Sequence, residues 1–180
     1  EQQFNQLMGS IKNAFSMDLL DEFALEVDPR TVSTRDIQKL NAFGVNRISM
    51  GIQDFNPQVQ EAINRVQPLD TILELIETVD DGTSLNFDLI YGLPHQTLST
   101  FSETIDICIK IGADRLSIYC YDHTPDIHRH HALMDPSLMP SKSEKIEMFI
   151  MAAQSLIKAG YEWIGIDHFA KRDDSLSMAR

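Results

Sequence analysis

Three polar side chains stand near the ends of apolar runs, and they set the chemical question. They are Glu26 in "FALEVD" (23–28), Gln53 in "RISMGIQD" (47–54) and Asp88 in "LNFDLIYG" (85–92). Asp88 is the sharpest case, because an unpaired charge inside a buried strand costs several kcal/mol, roughly. Carboxylates at such places can accept hydrogen bonds from ribose hydroxyls or from an amino group. Arg65 in "EAINRVQP" can clamp a carboxylate through two parallel hydrogen bonds. Asp167 and His168 stand at the end of a fifth run, "YEWIGID" (161–167). Together these groups suit a pocket for a polar, amino-acid-like or nucleoside-like ligand.

A second constellation is weaker. "YDHTPDIHRHH" (121–131) holds His123, His128, His130 and His131. A metal site would want compact helical spacing with a supporting carboxylate, and this proline-containing segment offers none. It reads as a polar loop. Cys108 and Cys120 match no disulfide framework or metal spacing, and they suit small buried positions in a reducing, cytoplasmic setting. No Walker loop, dinucleotide glycine fingerprint or nucleophile elbow is present.

The elements that must position these residues follow from periodicity. The three runs above, with "RLSIYCY" (115–121) and "YEWIGID", are rich in strand-forming residues. Helical stretches lie between them: "STRDIQKLNAFG" with cap candidates Ser33 and Thr34 and a stop at Gly44, "NPQVQEAINR" with Asn56 and Pro57 at its start, "STFSETIDICIKIG", and "SKSEKIEMFIMAAQSLIKAG". "EQQFNQLMGSIKNAF" precedes the first strand as a helix. Strands alternating with helices predict parallel βαβ units.

The strand faces divide two architectures. An open doubly wound sheet is apolar on both faces. Here one face of the second strand carries Ile48, Met50 and Ile52, and the other carries Arg47, Ser49, Gly51 and Gln53. The first, third and fourth runs alternate the same way. A polar face on consecutive parallel strands favours a curved sheet around a wet or ligand-filled lumen: a partial (β/α) barrel of about five parallel strands with outer helices. Five strands fall short of the eight of a closed barrel, which takes about 250 residues. An open sheet with satisfied buried polar groups is the alternative. The formal net charge of −12 speaks against nucleic acid as a partner, and no run approaches the roughly 20 apolar residues of a membrane span.

"EVDPR" (26–30), "NRISMGIQDFNPQVQEAINRVQ" (46–67), "NFDLIYGLPHQT" (86–97), "DRLSIYCYDHTP" (114–125) and "GYEWIGIDHFAKRDD" (160–174) resemble, in order, the oxygen-independent coproporphyrinogen III oxidase family of radical S-adenosylmethionine (SAM) enzymes. The resemblance implies a radical SAM barrel in which a [4Fe-4S] cluster on a CxxxCxxC motif reductively cleaves SAM. It implies oxidative decarboxylation of two propionates of coproporphyrinogen III to vinyls, giving protoporphyrinogen IX, with an electron donor and an acceptor. Two SAM molecules are implied. Glu26 would then serve the cluster-bound SAM, and Gln53, Arg65 and Asp88 the second. Asp122 and Ile164 would lie on the adenine side, Asp122 through its backbone. The chain departs from the family in having no CxxxCxxC. Residues 1–180 are therefore expected to be an internal piece of the barrel domain, with the cluster motif upstream, a C-terminal domain downstream, and no activity of its own. A cluster-free relative that only binds a haem-like or nucleoside ligand is the competing reading. An unrelated aldolase would want a lumen lysine at a strand end, which none of the five runs supplies.

Overall fold

Serine, threonine and asparagine residues set where four helices of this chain begin. In the computed structural model, which describes residues 2–179 apart from the side chains of Asp18 and His130, Ser33 and Asp36 form a capping box at the start of α2 (Thr34–Phe43). Thr97 with Thr100 opens α5 (Leu98–Ile111), and Ser141 with Glu144 opens α6 (Lys142–Lys158). Asn56 caps α3 (Pro57–Ala62) with Pro57 at its first position. The remaining helices are α1 (Gln2–Ala14), α4 (Leu69–Ile76) and a short α7 (Ser175–Met178).

The strands are β1 (Ala24–Val27), β2 (Arg47–Gln53), β3 (Ser84–Tyr91), β4 (Arg115–Cys120), β5 (Tyr161–Gly165) and β6 (His168–Lys171). They form one open sheet in the order β1-β2-β3-β4-β6-β5. β1 to β4 are parallel neighbours. β6 is antiparallel to both β4 and β5, so β5 runs with the parallel set but is held off β4 by an inserted strand. All five expected strands form. The sixth and the α4 helix are additions to the sequence reading. β6 exists because the chain reverses within two residues, Ile166 and Asp167, with Ile166 in the left-handed region at φ 51°.

The alternation seen in sequence is the alternation in space. Ile48, Met50, Ile52, Phe87, Leu89, Leu116 and Ile118 are fully buried, in one cluster with Ile37 and Leu40 of α2, Ile72 of α4, Phe101, Ile105 and Cys108 of α5, and Met148 and Leu156 of α6. Each such side chain contributes about 1.5–3 kcal/mol of burial. The opposite face carries linked polar groups. Ser49 Oγ donates to Asp88 Oδ2 at 2.7 Å, and Asn86 Nδ2 donates to Asp88 Oδ1 at 3.0 Å and to Ser49 Oγ at 2.7 Å.

At the N-terminal end of the strands two arginines and two carboxylates close the sheet face. Asp174 accepts from Arg47 Nη2 at 3.0 Å and from Arg115 Nε at 2.7 Å. Glu22 lies 2.9 Å from Arg47 Nε and 3.0 Å from Arg115 Nη2. This ties the segment before β1, two strands and the start of α7 together.

Candidate functional site

The C-terminal end of β2 leaves regular geometry. The β2–β3 register shifts between Gly51 and Gln53, and Gln53 has φ 67°. A bulge re-aims the side chains that follow it. The next residue, Asp54, is fully buried. It accepts from the Asn56 amide at 2.6 Å, from Thr104 Oγ1 at 2.9 Å and from Gln96 Nε2 at 2.5 Å. Burial pushes its carboxyl up, against those hydrogen bonds. Gln96 also donates to the Ile90 carbonyl and accepts from the Leu93 amide. The turn after β2 and the turn after β3 are thereby one rigid unit.

A second buried pair braces the segment after α3. Gln60 Nε2 donates to the Asp54 and Gln67 carbonyls and Gln60 Oε1 accepts from the Gln67 amide. Gln67 Nε2 donates to the carbonyls of Gly51 and Ile52. Arg65 is carried on this brace. Its Nη2 donates to the Gly51 carbonyl at 3.0 Å and lies 3.5 Å from Asp28 Oδ1. Its Nε is buried and finds no hydrogen-bond acceptor among the described residues. Burial draws Arg65 below the usual arginine value. Asp28 is itself forked by Arg30, through Nε at 3.0 Å and Nη2 at 2.7 Å, and this pairing holds its carboxyl below the usual range.

Arg30, Asn64 and Arg65 form one wall of a cleft of about 660 Å³ at the C-terminal end of the sheet. Gln53, Arg65 and Asp122 all line it, with Tyr119 and Tyr121 from the end of β4 and the loop beyond contributing the facing wall. Three of the six expected ligand residues are thus brought together. The other three lie elsewhere. Asp88 belongs to the Ser49–Asn86 network on the lumen face. Glu26 is exposed and lines a separate groove of about 330 Å³ beside β1 with Phe4 and Lys39. Ile164 is half-buried on β5, beyond β6 from the cleft strand β4.

The histidine segment folds onto the cleft. His128 and His131 line it, and His123 and His131 stack with ring centroids 6.0 Å apart. The Thr124 amide donates to His131 Nδ1 at 3.1 Å. His130 lies outside the described side chains. Among the described residues no group of three or more metal-ligating side chains could hold an ion. The sequence reading missed Arg30, Asp54, Gln60, Gln67 and Gln96. Their signal was an amide, a carboxyl or, for Arg30, a guanidinium residue within or beside each turn, close to the residues singled out.

The fold is that of a known class. The profile of the radical SAM superfamily matches residues 8–108, and the chain belongs to that superfamily. Within it, the chain is 39% identical over 182 residues to the oxygen-independent coproporphyrinogen III oxidase of Helicobacter pylori strain J99, covering 98% of this chain and 39% of that protein. It is 36% identical over 178 residues to the enzyme of the same name from Bradyrhizobium diazoefficiens, covering 98% and 40%. The solved coproporphyrinogen III oxidase from Escherichia coli, described as a radical SAM enzyme, superimposes with a TM-score of 0.93 at 37% identity, over 99% of this chain and 42% of that one. An archaeal Elp3 from Methanocaldococcus infernus shares the fold, with a TM-score of 0.58 at 15% identity over 73% of this chain. The chain spans about 40% of the length of the curated relatives it matches. The six-stranded sheet is an open arc of the radical SAM barrel.

The superfamily implies SAM and a [4Fe-4S] cluster. Clusters of this kind are held by cysteine thiolates. This chain has Cys108, buried in α5 with its thiol pushed up by burial, and Cys120 at the end of β4. These two, on different elements, do not form a cluster site. SAM fits better: Gln53 and Arg65 bring an amide and a guanidinium to one cleft.

Proposed function

We propose that this chain forms the SAM-binding part of the barrel of an oxygen-independent coproporphyrinogen III oxidase, acting in haem biosynthesis in the cytoplasm. One observation carries the reading: the match to the Escherichia coli oxidase extends over 99% of the chain at 37% identity, with a TM-score of 0.93. That combines fold and sequence, whereas the archaeal neighbour shares fold alone. The proposed reaction is oxidative decarboxylation of two propionates of coproporphyrinogen III to vinyls, with an electron donor and an acceptor as partners. Two SAM molecules are part of the proposal.

Bound SAM would supply the hydrogen-abstracting chemistry. This chain's residues would bind and orient it. The Arg65 guanidinium offers N–H donors to a methionine carboxylate. Gln53 offers an amide on the same wall, and Asp122 lines the cleft, where its backbone would meet the adenine side. Asp88 would act from the lumen face, its carboxylate fixed by Ser49 and Asn86 and still holding free lone pairs. Glu26 at the β1 edge would serve the other SAM, and Ile164 an adenine contact.

The test is anaerobic iron–sulfur reconstitution of the full-length protein, then incubation with SAM and coproporphyrinogen III under reducing conditions. Deoxyadenosine and protoporphyrinogen IX are the expected products. SAM bound but never cleaved would favour a ligand-binding relative without catalysis. In the same assay Arg65→Ala is expected to weaken SAM binding tenfold or more.

A further inference from the structure

Gly51 has no positive φ to demand glycine, although the β2–β3 register shifts beside it. It lies inside β2, it is buried, and its φ is outside the left-handed region. Any β-forming residue could adopt that conformation, and glycine weakens a strand interior. Space is what demands it. A Cβ at position 51 would stand 2.7 Å from Arg65 Nη2, 2.9 Å from Gln53 Nε2 and 3.7 Å from Arg65 Cζ. Those contacts are with the two cationic and amide groups that share the cleft wall. The missing side chain is therefore the seat of the guanidinium.

The seat has other sides. The Gly51 carbonyl takes Arg65 Nη2 from one direction and Gln67 Nε2 from another. Asp28 faces the same Nη2 atom at 3.5 Å. Arg30 forks Asp28 and also donates through Nη1 to the Asn64 carbonyl at 3.2 Å. The backbone just before Arg65 is thus tied to the residue that faces its guanidinium. The Arg65 amide donates to the Gln60 carbonyl at 2.8 Å, which fixes where the side chain starts. A long flexible side chain is held at its base, at its tip and by its counter-charge before any ligand arrives. Ordering done in advance is not charged to binding.

We propose that Gly51 and Asp28 are positioning residues that place the Arg65 guanidinium for a carboxylate-bearing ligand of the cleft. The inference rests on the reading of Arg65 as a SAM ligand. Gly51 acts by leaving room, and Asp28 acts by charge and hydrogen bonding through its Arg30 fork. Both groups displaced by a Cβ are the far ends of flexible side chains. They can swing aside without moving the backbone, so a methyl at position 51 should disturb the cleft and spare the fold.

The test uses the full-length reconstituted protein. SAM dissociation constants and thermal midpoints are measured for Gly51→Ala, Asp28→Asn, Arg65→Ala and the Gly51→Ala/Arg65→Ala double variant. Gly51→Ala is expected to weaken SAM tenfold or more while unfolding at or above the wild-type temperature. The double variant is expected to bind within about twofold of Arg65→Ala alone, because both changes disable one guanidinium. Asp28→Asn, which adds no volume, should weaken SAM in the same direction. Wild-type affinity in Gly51→Ala, or losses that multiply in the double variant, would overturn the proposal. If Arg65→Ala binds SAM normally, the ligand reading fails instead. A structure of Gly51→Ala then decides positioning separately: an undisplaced guanidinium overturns it and a displaced one upholds it.

Discussion

The Thr104 hydroxyl donates to Asp54 Oδ1 at 2.9 Å and accepts from the Phe55 amide at 3.2 Å. Both partners are buried. Thr104→Val keeps the shape but removes one of two hydrogen bonds at Asp54 Oδ1 and the Thr104 partner of the Phe55 amide, so it is expected to cost about 1–3 kcal/mol. Urea unfolding reads this as a lower midpoint with an unchanged slope, and an unmoved midpoint would remove the network from any role in holding the cleft. At this scale the site was partly legible. Gln53, Arg65 and Asp122 do share a cleft. Asp88 was noticed because a charge in an apolar run needs a partner, and Ser49 and Asn86 supply it. The Asp54 network was not legible, because its partners Gln96 and Thr104 are 42 and 50 residues away and nothing in local pattern connects them.

The strands were legible because alternation survives wherever one face is oiled and the other is wet. Elements that break that rule were not. α4 sets Leu69, Ile72, Leu73 and Ile76 at helical spacing, but its eight residues are shorter than the window of roughly 11–18 over which that period separates helix from strand. β6 was hidden by its turn, whose sequence holds no Asn-Gly or Asp-Gly signal. Ile166 sits there with φ 51° and is 87% exposed. A β-branched residue in that region is strained by about 1–2 kcal/mol, and asparagine tolerates it. Ile166→Asn is therefore expected to stabilise the protein by about 1 kcal/mol, raising the thermal midpoint by roughly 2–4 °C. Calorimetry that shows no rise, or a fall, would mean the Ile166 side chain holds the hairpin in another way.

Across the molecule, the Glu22–Arg47–Arg115–Asp174 cluster is the counterpart of the cleft, closing the opposite end of the sheet. Burial pushes both carboxyls up, but the arginines, and for Asp174 also the Leu176 amide, outweigh it and hold each below its usual value of 4.5 or 3.8. Folding therefore favours their ionised forms. That contribution is complete above about pH 4.5 and is lost as the pH falls through the lowered values. Asp174 is 2% exposed and Arg47 8%, so Asp174→Ala leaves the buried Arg47 guanidinium to Glu22 alone and is expected to cost about 1.5–3 kcal/mol. Its acid-unfolding curve should also be shallower than the parent's, and a curve of unchanged steepness would place the acid sensitivity elsewhere. The inserted antiparallel strand bears on the order in which this arc assembles. β5 and β6 are joined by two residues, so they can pair in about 1–10 μs without help from the rest of the chain. Each parallel pairing spans at least one intervening helix and must meet the larger entropy of closing that loop first. The hairpin is therefore expected to form before it meets β4, with the β4–β6 boundary closing after it, where the local and non-local halves of the sheet meet.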